Sequence, residues 1–126
     1  MNLVDSSGWL EYFTDGPNAS FFSRPLAQSS DLVVPSITIY EVFKAVLRQR
    51  GEIDALQAVA LMQQGLVVDL TAEISIFAAK ISIEFRLPMA DSIILATSRM
   101  YRATLWTQDS DFEKIDGVRY AAKKNG

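Results

Sequence analysis

Carboxylates are the groups in this chain whose type and spacing suit hydrolytic chemistry. Asp5 ends the short apolar run Leu3-Val4 and is followed by two hydroxyl residues, Ser6 and Ser7, that suit the opening of a helix. Glu41 falls within a helical pattern that follows a second apolar run, Leu32-Val33-Val34. Asp91 stands in the first turn of a later helical pattern, just after Leu87-Pro88, and Asp109 follows Thr104-Leu105-Trp106-Thr107, with Asp111 two positions on. The chain has no Cys and no His, which removes thiolate nucleophiles, serine triads, histidine general bases and Cys/His zinc sites. What remains is oxygen, and oxygen ligands suit hard cations such as Mg²⁺ or Mn²⁺.

The elements that must place these acids can be read in order. A first strand ends at Asp5, and Ser6 to Phe13 follows as a short helix burying Trp9, Leu10 and Phe13 before Asp15-Gly16-Pro17 stops it. Asn18 or Ser20 caps a second helical piece, which Pro25 kinks or restarts. After the strand Leu32–Val34, Ser36 caps a helix to about Arg50, with an inward stripe of Ile39, Tyr40, Phe43, Val46 and Leu47 and a stop at Gly51. Glu52 to Gln64 is another helix with Ile53, Leu56, Val59, Ala60 and Met62 apolar. Leu66–Leu70 reads as a strand and Thr71 to Phe85 as a long helix through Ile74, Phe77, Ala78 and Ile81. Then come a helix from Met89 to Tyr101, a strand Thr104–Thr107, a short helix Asp109–Ile115 and a last strand Val118–Tyr120. Alternating strands and helices predict one α/β domain over residues 1–126. It is a three-layer α/β/α sandwich around a mostly parallel sheet of four to five short strands.

In such a sheet the parallel strands end along one edge, and helices that start there bring their own side chains. Asp5 and Asp109 are then expected to meet at that edge, with Glu41 and Asp91 added from helices. Three or four carboxylates in one pocket repel unless a cation compensates them. A bound divalent ion polarises a phosphoryl oxygen and lowers the pKa of water, so hydrolysis needs no histidine; two such ions would share the attacking and leaving oxygens. Ser6 and Thr107, each beside an acid, are expected to orient a ligating carboxylate or water through hydrogen bonds.

Asp5-Ser6-Ser7 after a first strand, Glu41 in a helix after a strand, Ala90-Asp91-Ser92-Ile93-Ile94-Leu95-Ala96-Thr97 and Thr107-Gln108-Asp109-Ser110-Asp111-Phe112 together resemble the PIN domain, in particular the VapC-type toxins of toxin–antitoxin pairs. The likeness spans nearly the whole chain, and the Thr-x-Asp-x-Asp-Phe ending is its sharpest part. The resemblance implies a metal-dependent endoribonuclease acting on tRNA or ribosomal RNA, with Asp5, Glu41, Asp91 and Asp109 as catalytic and metal-binding residues. Asp111 matches a more variable acid of the family. It further implies dimers and neutralisation by a cognate antitoxin, whose arginine would pair with the carboxylates through paired hydrogen bonds.

Each acid also has an ordinary explanation. Glu41 has Lys44 and Arg48 on its helix face, enough for a solvated ion pair; Asp91 suits a helix N-terminus; Asp5, Asp109 and Asp111 suit caps. The metal pocket replaces these separate coincidences with one cause. Lys44, Arg48 and Arg99, with Arg50 and Arg102, are candidates for contacts to RNA phosphates. The apolar surplus along Ile53–Met62 and Ile74–Phe85 predicts a buried interface, most simply a homodimer.

The net charge of −3 argues against broad adhesion to nucleic acid but leaves room for a local basic rim. No apolar run approaches the ~18 residues of a membrane span, and the first residues do not read as a secretory signal, so a cytoplasmic protein is expected. Three rivals compete with the nuclease. A receiver-like domain phosphorylated on Asp5 would want an early acid pair and a late lysine, and haloacid-dehalogenase chemistry would want an acid where Ser7 stands. An inert interaction module would use its acids only to bind a partner's arginines.

Overall fold

A computed structural model describes residues 1–125. Five short strands form one sheet: β1 (Asn2–Val4), β2 (Leu32–Pro35), β3 (Leu66–Val68), β4 (Thr104–Thr107) and β5 (Val118–Tyr120). Their order is β3-β2-β1-β4-β5 and every pairing is parallel, with Leu3 opposite both Val33 and Leu105 and Val4 opposite Trp106. The expected sheet is therefore present, wholly parallel and with all five strands. Parallel strands need crossovers, and these are supplied by α1 (Ser6–Phe13), α2 (Ala19–Leu26), α3 (Ser36–Arg50), α4 (Glu52–Met62), α5 (Ala72–Phe85) and α6 (Met89–Met100).

Alternation along the strands sends side chains to two cores. Leu3, Val33 and Leu105 point to one face, where Ile74, Ala78 and Ile81 of α5 and Ile93 to Ala96 of α6 cover them. Val4, Leu32, Val34 and Trp106 point to the other face, against Trp9, Phe22, Val42, Ala55, Ala58 and Met62. Both faces are covered, which is why the strands read as unbroken apolar runs.

Several local expectations give way to packing. Along α3 the buried side chains are Thr38, Val42 and Val46, one every four residues, while Tyr40 is 62% and Leu47 42% exposed. On α4 the inward residues are Ala55, Ala58 and Met62, and Ile53 and Leu56 face solvent. Small residues let a helix lie close to its neighbours, so they take the inner face even where larger apolar residues are available. Pro35, not Ser36, occupies the N-cap of α3, without a side-chain cap bond, and Thr38 Oγ1 donates to the Pro35 carbonyl at 2.6 Å. Gly51, at φ 95, carries α3 directly into α4. Pro25 lies inside α2, one residue before its end, where its missing amide leaves a helical hydrogen bond unmade and the helix stops at Leu26. β3 stops at Val68, so Asp69 and Leu70 lie outside the ladder. The helix expected over Asp109–Ile115 is only a 3₁₀ turn, Ser110–Phe112. Among the described residues no helix is long and apolar enough to cross a membrane.

Candidate active site

β1 is the central strand; the chain moves from it through β2 to β3 on one side, then returns to place β4 on the other. The order reverses between β1 and β4, and beyond the carboxyl ends of such a pair an α/β sheet leaves a crevice. Asp5 directly follows β1 and Asp109 follows β4 after Gln108. α3 leaves the end of β2 and carries Glu41 in its second turn; α6 begins nearby with Asp91 at its third residue. Asp5, Glu41, Asp91 and Asp109 line one depression of about 330 Å³, with Ser6 and Ser7 at its side and Leu10 and Ile94 among its walls.

The hydrogen bonds show how each acid is held. Asp5 is 4% exposed; its Oδ1 accepts from the Gly8 amide and the Ser7 hydroxyl, both at 2.9 Å, and its Oδ2 accepts from Thr107 Oγ1 at 2.5 Å. Thr107 Oγ1 in turn accepts from the Asp109 amide at 2.9 Å, so one hydroxyl ties the ends of β1 and β4 together. Ser6 Oγ donates to Glu41 Oε1 at 2.6 Å. Asp109 Oδ1 accepts from the Asp111 amide at 2.9 Å, capping the 3₁₀ turn. Thr107 therefore donates to an acid, Asp5. Ser6 does so too, although the acid is Glu41 and not its neighbour Asp5. The role at Asp5 falls to Ser7, which the sequence reading left unassigned; its only signal is its place two residues after an acid at a helix start.

Crowding appears in the protonation of two carboxyls. Burial pushes Asp91 up to about 7, and the charges of Asp109, Asp5, Asp111 and Glu41 add to the rise. Burial likewise pushes Asp5 up to about 6, although the bonds from Thr107, Gly8 and Ser7 pull it down. A site that raises its own carboxylates in this way favours any cation that would relieve it. Carboxylate oxygens of Asp91, Asp109 and Asp111 lie within 4.8 Å of one another, a spacing one hard cation can span. The donor set thus fits a divalent ion with oxygen ligands, and it gives the outlying Asp111 a place beside two of the four expected acids.

The basic residues behave differently. Lys44, Arg48 and Arg99 do not line the depression. The Lys44 ammonium lies 5.6 Å from the Tyr40 ring centroid, and Arg99 packs over Phe85 at 5.2 Å in the last turn of α6. The ordinary reading of Glu41 as half of an ion pair is also unrealised, since no salt bridge to it forms among the described residues.

Comparison with known structures agrees with the topology. A toxin–antitoxin complex from Klebsiella pneumoniae superposes with a TM-score of 0.79 at 23% identity, covering 94% of this chain and 96% of that one. VapC20 of Mycobacterium tuberculosis, a sarcin–ricin-loop-cleaving toxin, gives 0.75 at 18% identity over 92% and 95%. VapBC2 of Rickettsia felis, bound to a promoter DNA fragment, gives 0.74 at 14% over 96% and 97%. At these identities the likeness is one of fold. No curated protein matches the sequence. The PIN domain family matches residues 3–118, which takes in β2, β3 and β4 whole and all the acids described above, and the chain belongs to that family.

Proposed function

We propose that the protein is a divalent-metal-dependent endoribonuclease, the VapC-type toxin of a toxin–antitoxin pair, cutting tRNA or ribosomal RNA. The observation that carries this reading is the meeting of Asp5, Glu41, Asp91 and Asp109 in one depression at the point where the strand order reverses. Asp91, Asp109 and Asp111 would hold the cation, Mg²⁺ or Mn²⁺. When bound, it supplies Lewis-acid charge toward a phosphoryl oxygen and lowers the pKa of water. Asp5 and Glu41 complete the acidic lining, each fixed in direction by hydroxyl donors: Thr107 and Ser7 on Asp5, Ser6 on Glu41. The depression is open, as a polymer substrate requires, and the hydroxyls that line it, those of Ser6 and Ser7, are engaged as donors to Glu41 and Asp5.

A partner is part of this reading. An apolar groove of about 410 Å³ runs between α1, α3 and α4, lined by Leu10, Phe13, Val46, Ala58 and Leu61. Leu10 lines both this groove and the acidic depression, so a bound antitoxin segment could cover the groove and present an arginine to the acids. A homodimer would bury apolar residues now at the surface, Ile53 and Leu56 on α4 or Ile76 and Ile83 on α5. A cytoplasmic setting goes with an RNA substrate.

The test is cleavage of total RNA by the purified chain with Mg²⁺ or Mn²⁺ and with chelator. Cleavage should need the metal and fall about a hundredfold or more in Asp5→Asn, Asp91→Asn and Asp109→Asn while each variant stays folded. Equal cleavage by the variants overturns the site. RNA left intact, with a melting curve unmoved by millimolar metal, favours the inert interaction module.

A further inference from the structure

The chain beyond β5 lies outside the residues matched by the family, yet it is fastened to the active edge of the sheet. The Ala121 amide donates to the Thr107 carbonyl at 3.0 Å. Asn18 Nδ2 donates both to Gln108 Oε1 at 3.1 Å and to the Ala122 carbonyl at 3.0 Å. Asn18 and Gln108 are 3% and 6% exposed, so this amide clamp is a built feature and not a chance surface contact. Asn18 stands at the N-cap of α2 but makes no cap bond, its amide being committed to the clamp.

The clamp fixes what comes next. Lys123 is exposed and lines two depressions that flank the acids, one shared with Ser7 and Gln108, the other with Gln108, Asp109 and Ser110. Among the described residues it is the only cationic one lining either of these or the acidic depression itself. Among the described residues it forms no salt bridge, so its charge remains available.

A polyanion approaching four carboxylates on a chain of net charge −3 meets repulsion unless a cation is set beside its path. We propose that Lys123 is a substrate-binding residue that holds an RNA phosphate next to the phosphodiester lying over the acids. An ammonium on a flexible stem suits this task, because it grips a phosphate as a point charge and follows small changes in strand path. The proposal rests on the ribonuclease reading and extends it to substrate placement.

The test uses the full chain and a short fluorescein-labelled single-stranded RNA, with binding measured by anisotropy across salt concentration in the non-cleaving Asp91→Asn background. Lys123→Gln should weaken binding about three- to fivefold and reduce the salt slope by about 0.7, the value for one phosphate contact on a single strand. Lys123→Arg should restore both. In the otherwise native enzyme Lys123→Gln should raise KM and leave kcat nearly unchanged. Lys124→Gln removes a neighbouring exposed charge that lines neither flanking depression, and should have little effect. Unchanged affinity and slope in Lys123→Gln, or an equal loss in Lys124→Gln, would overturn the proposal while leaving the nuclease in place. If the chain with Lys123 intact neither binds nor cuts RNA, the ribonuclease reading itself fails and Lys123 falls with it.

Discussion

Asp91 feels the crowding at the sheet edge most strongly, and this has a consequence for stability. Its carboxyl titrates at about 7 in the folded protein against an ordinary 3.8, so at intermediate pH the folded state holds a proton that the unfolded chain has released. Stability from this source is complete below the ordinary value and is lost as pH rises through about 7; Asp5, raised to about 6, acts in the same sense. In chelator the melting temperature should fall between about pH 4 and pH 7, and Asp91→Asn should flatten that fall. Saturating Mg²⁺ or Mn²⁺ should restore the loss by binding the folded state alone. A metal-free profile that rises toward pH 8, or one that Asp91→Asn leaves unchanged, contradicts the crowded pocket. Thr107→Val leaves Asp5 Oδ2 without its donor, and should lower cleavage about ten- to a hundredfold at a small cost in melting temperature. Asp5, Asp91 and Asp109 were legible as candidates because each stands where a strand ends or a helix begins, a relation that order alone encodes, whereas Glu41, in the second turn of α3, stood out only by lying off the apolar stripe. The donors were less so: which carboxylate Ser6 or Ser7 reaches depends on how α1 sets down beside α3. Asp5 caps α1 through Gly8 with the same carboxylate that lines the depression.

The helices carry the acids, so helix placement is the next point of control. Gly8 lets α1 lie against the sheet; a Cβ there would come within 2.6 Å of both Phe22 Cε1 and Val4 Cγ1. Gly8→Ala should cost about 1 to 3 kcal/mol and reduce cleavage as well, because α1 also carries Ser6 and Ser7. Thr71→Ala is the matching control. It removes the bond from the Ile74 amide that caps α5, costs about 1 kcal/mol in thermal or denaturant unfolding, and should leave cleavage intact because no residue of α5 lines the acidic depression. Helix extents were largely legible; their inward faces were not always. In α5 the buried Ile74, Ala78 and Ile81 follow the expected stripe. In α3 and α4 apolar residues lie on more than one face, so periodicity could not choose, and packing chose Val42, Ala55 and Ala58 over Tyr40, Ile53 and Leu56. The ends of α1 and α5 were legible at Phe13 and Phe85, although Asp15, Arg86 and Arg102 take the positive φ that glycine usually supplies after a helix.

At the scale of the whole molecule, the topology explains why residues as far apart as Asp5 and Asp109 can share a site: β1 and β4 are neighbours, and the reversal of strand order between them opens the crevice. The two-core sandwich was legible because continuous apolar strands interleaved with helices permit few other arrangements. The surface was less legible: of the large apolar residues on α4, Met62 is buried while Ile53 and Leu56 stay outside. If these form a homodimer, sedimentation should show a two-chain particle, and either Ile53→Glu or Ile83→Glu should dissociate it and identify the buried face; a monomer at every concentration would remove the dimer from the account. The central claim is that the gathered carboxylates cut RNA. It is tested most directly by sequencing RNA 5′ ends from cells expressing the chain and from cells expressing its Asp5→Asn variant. Discrete new ends with the native chain that vanish with the variant are the predicted result, and identical ends in the two would contradict it.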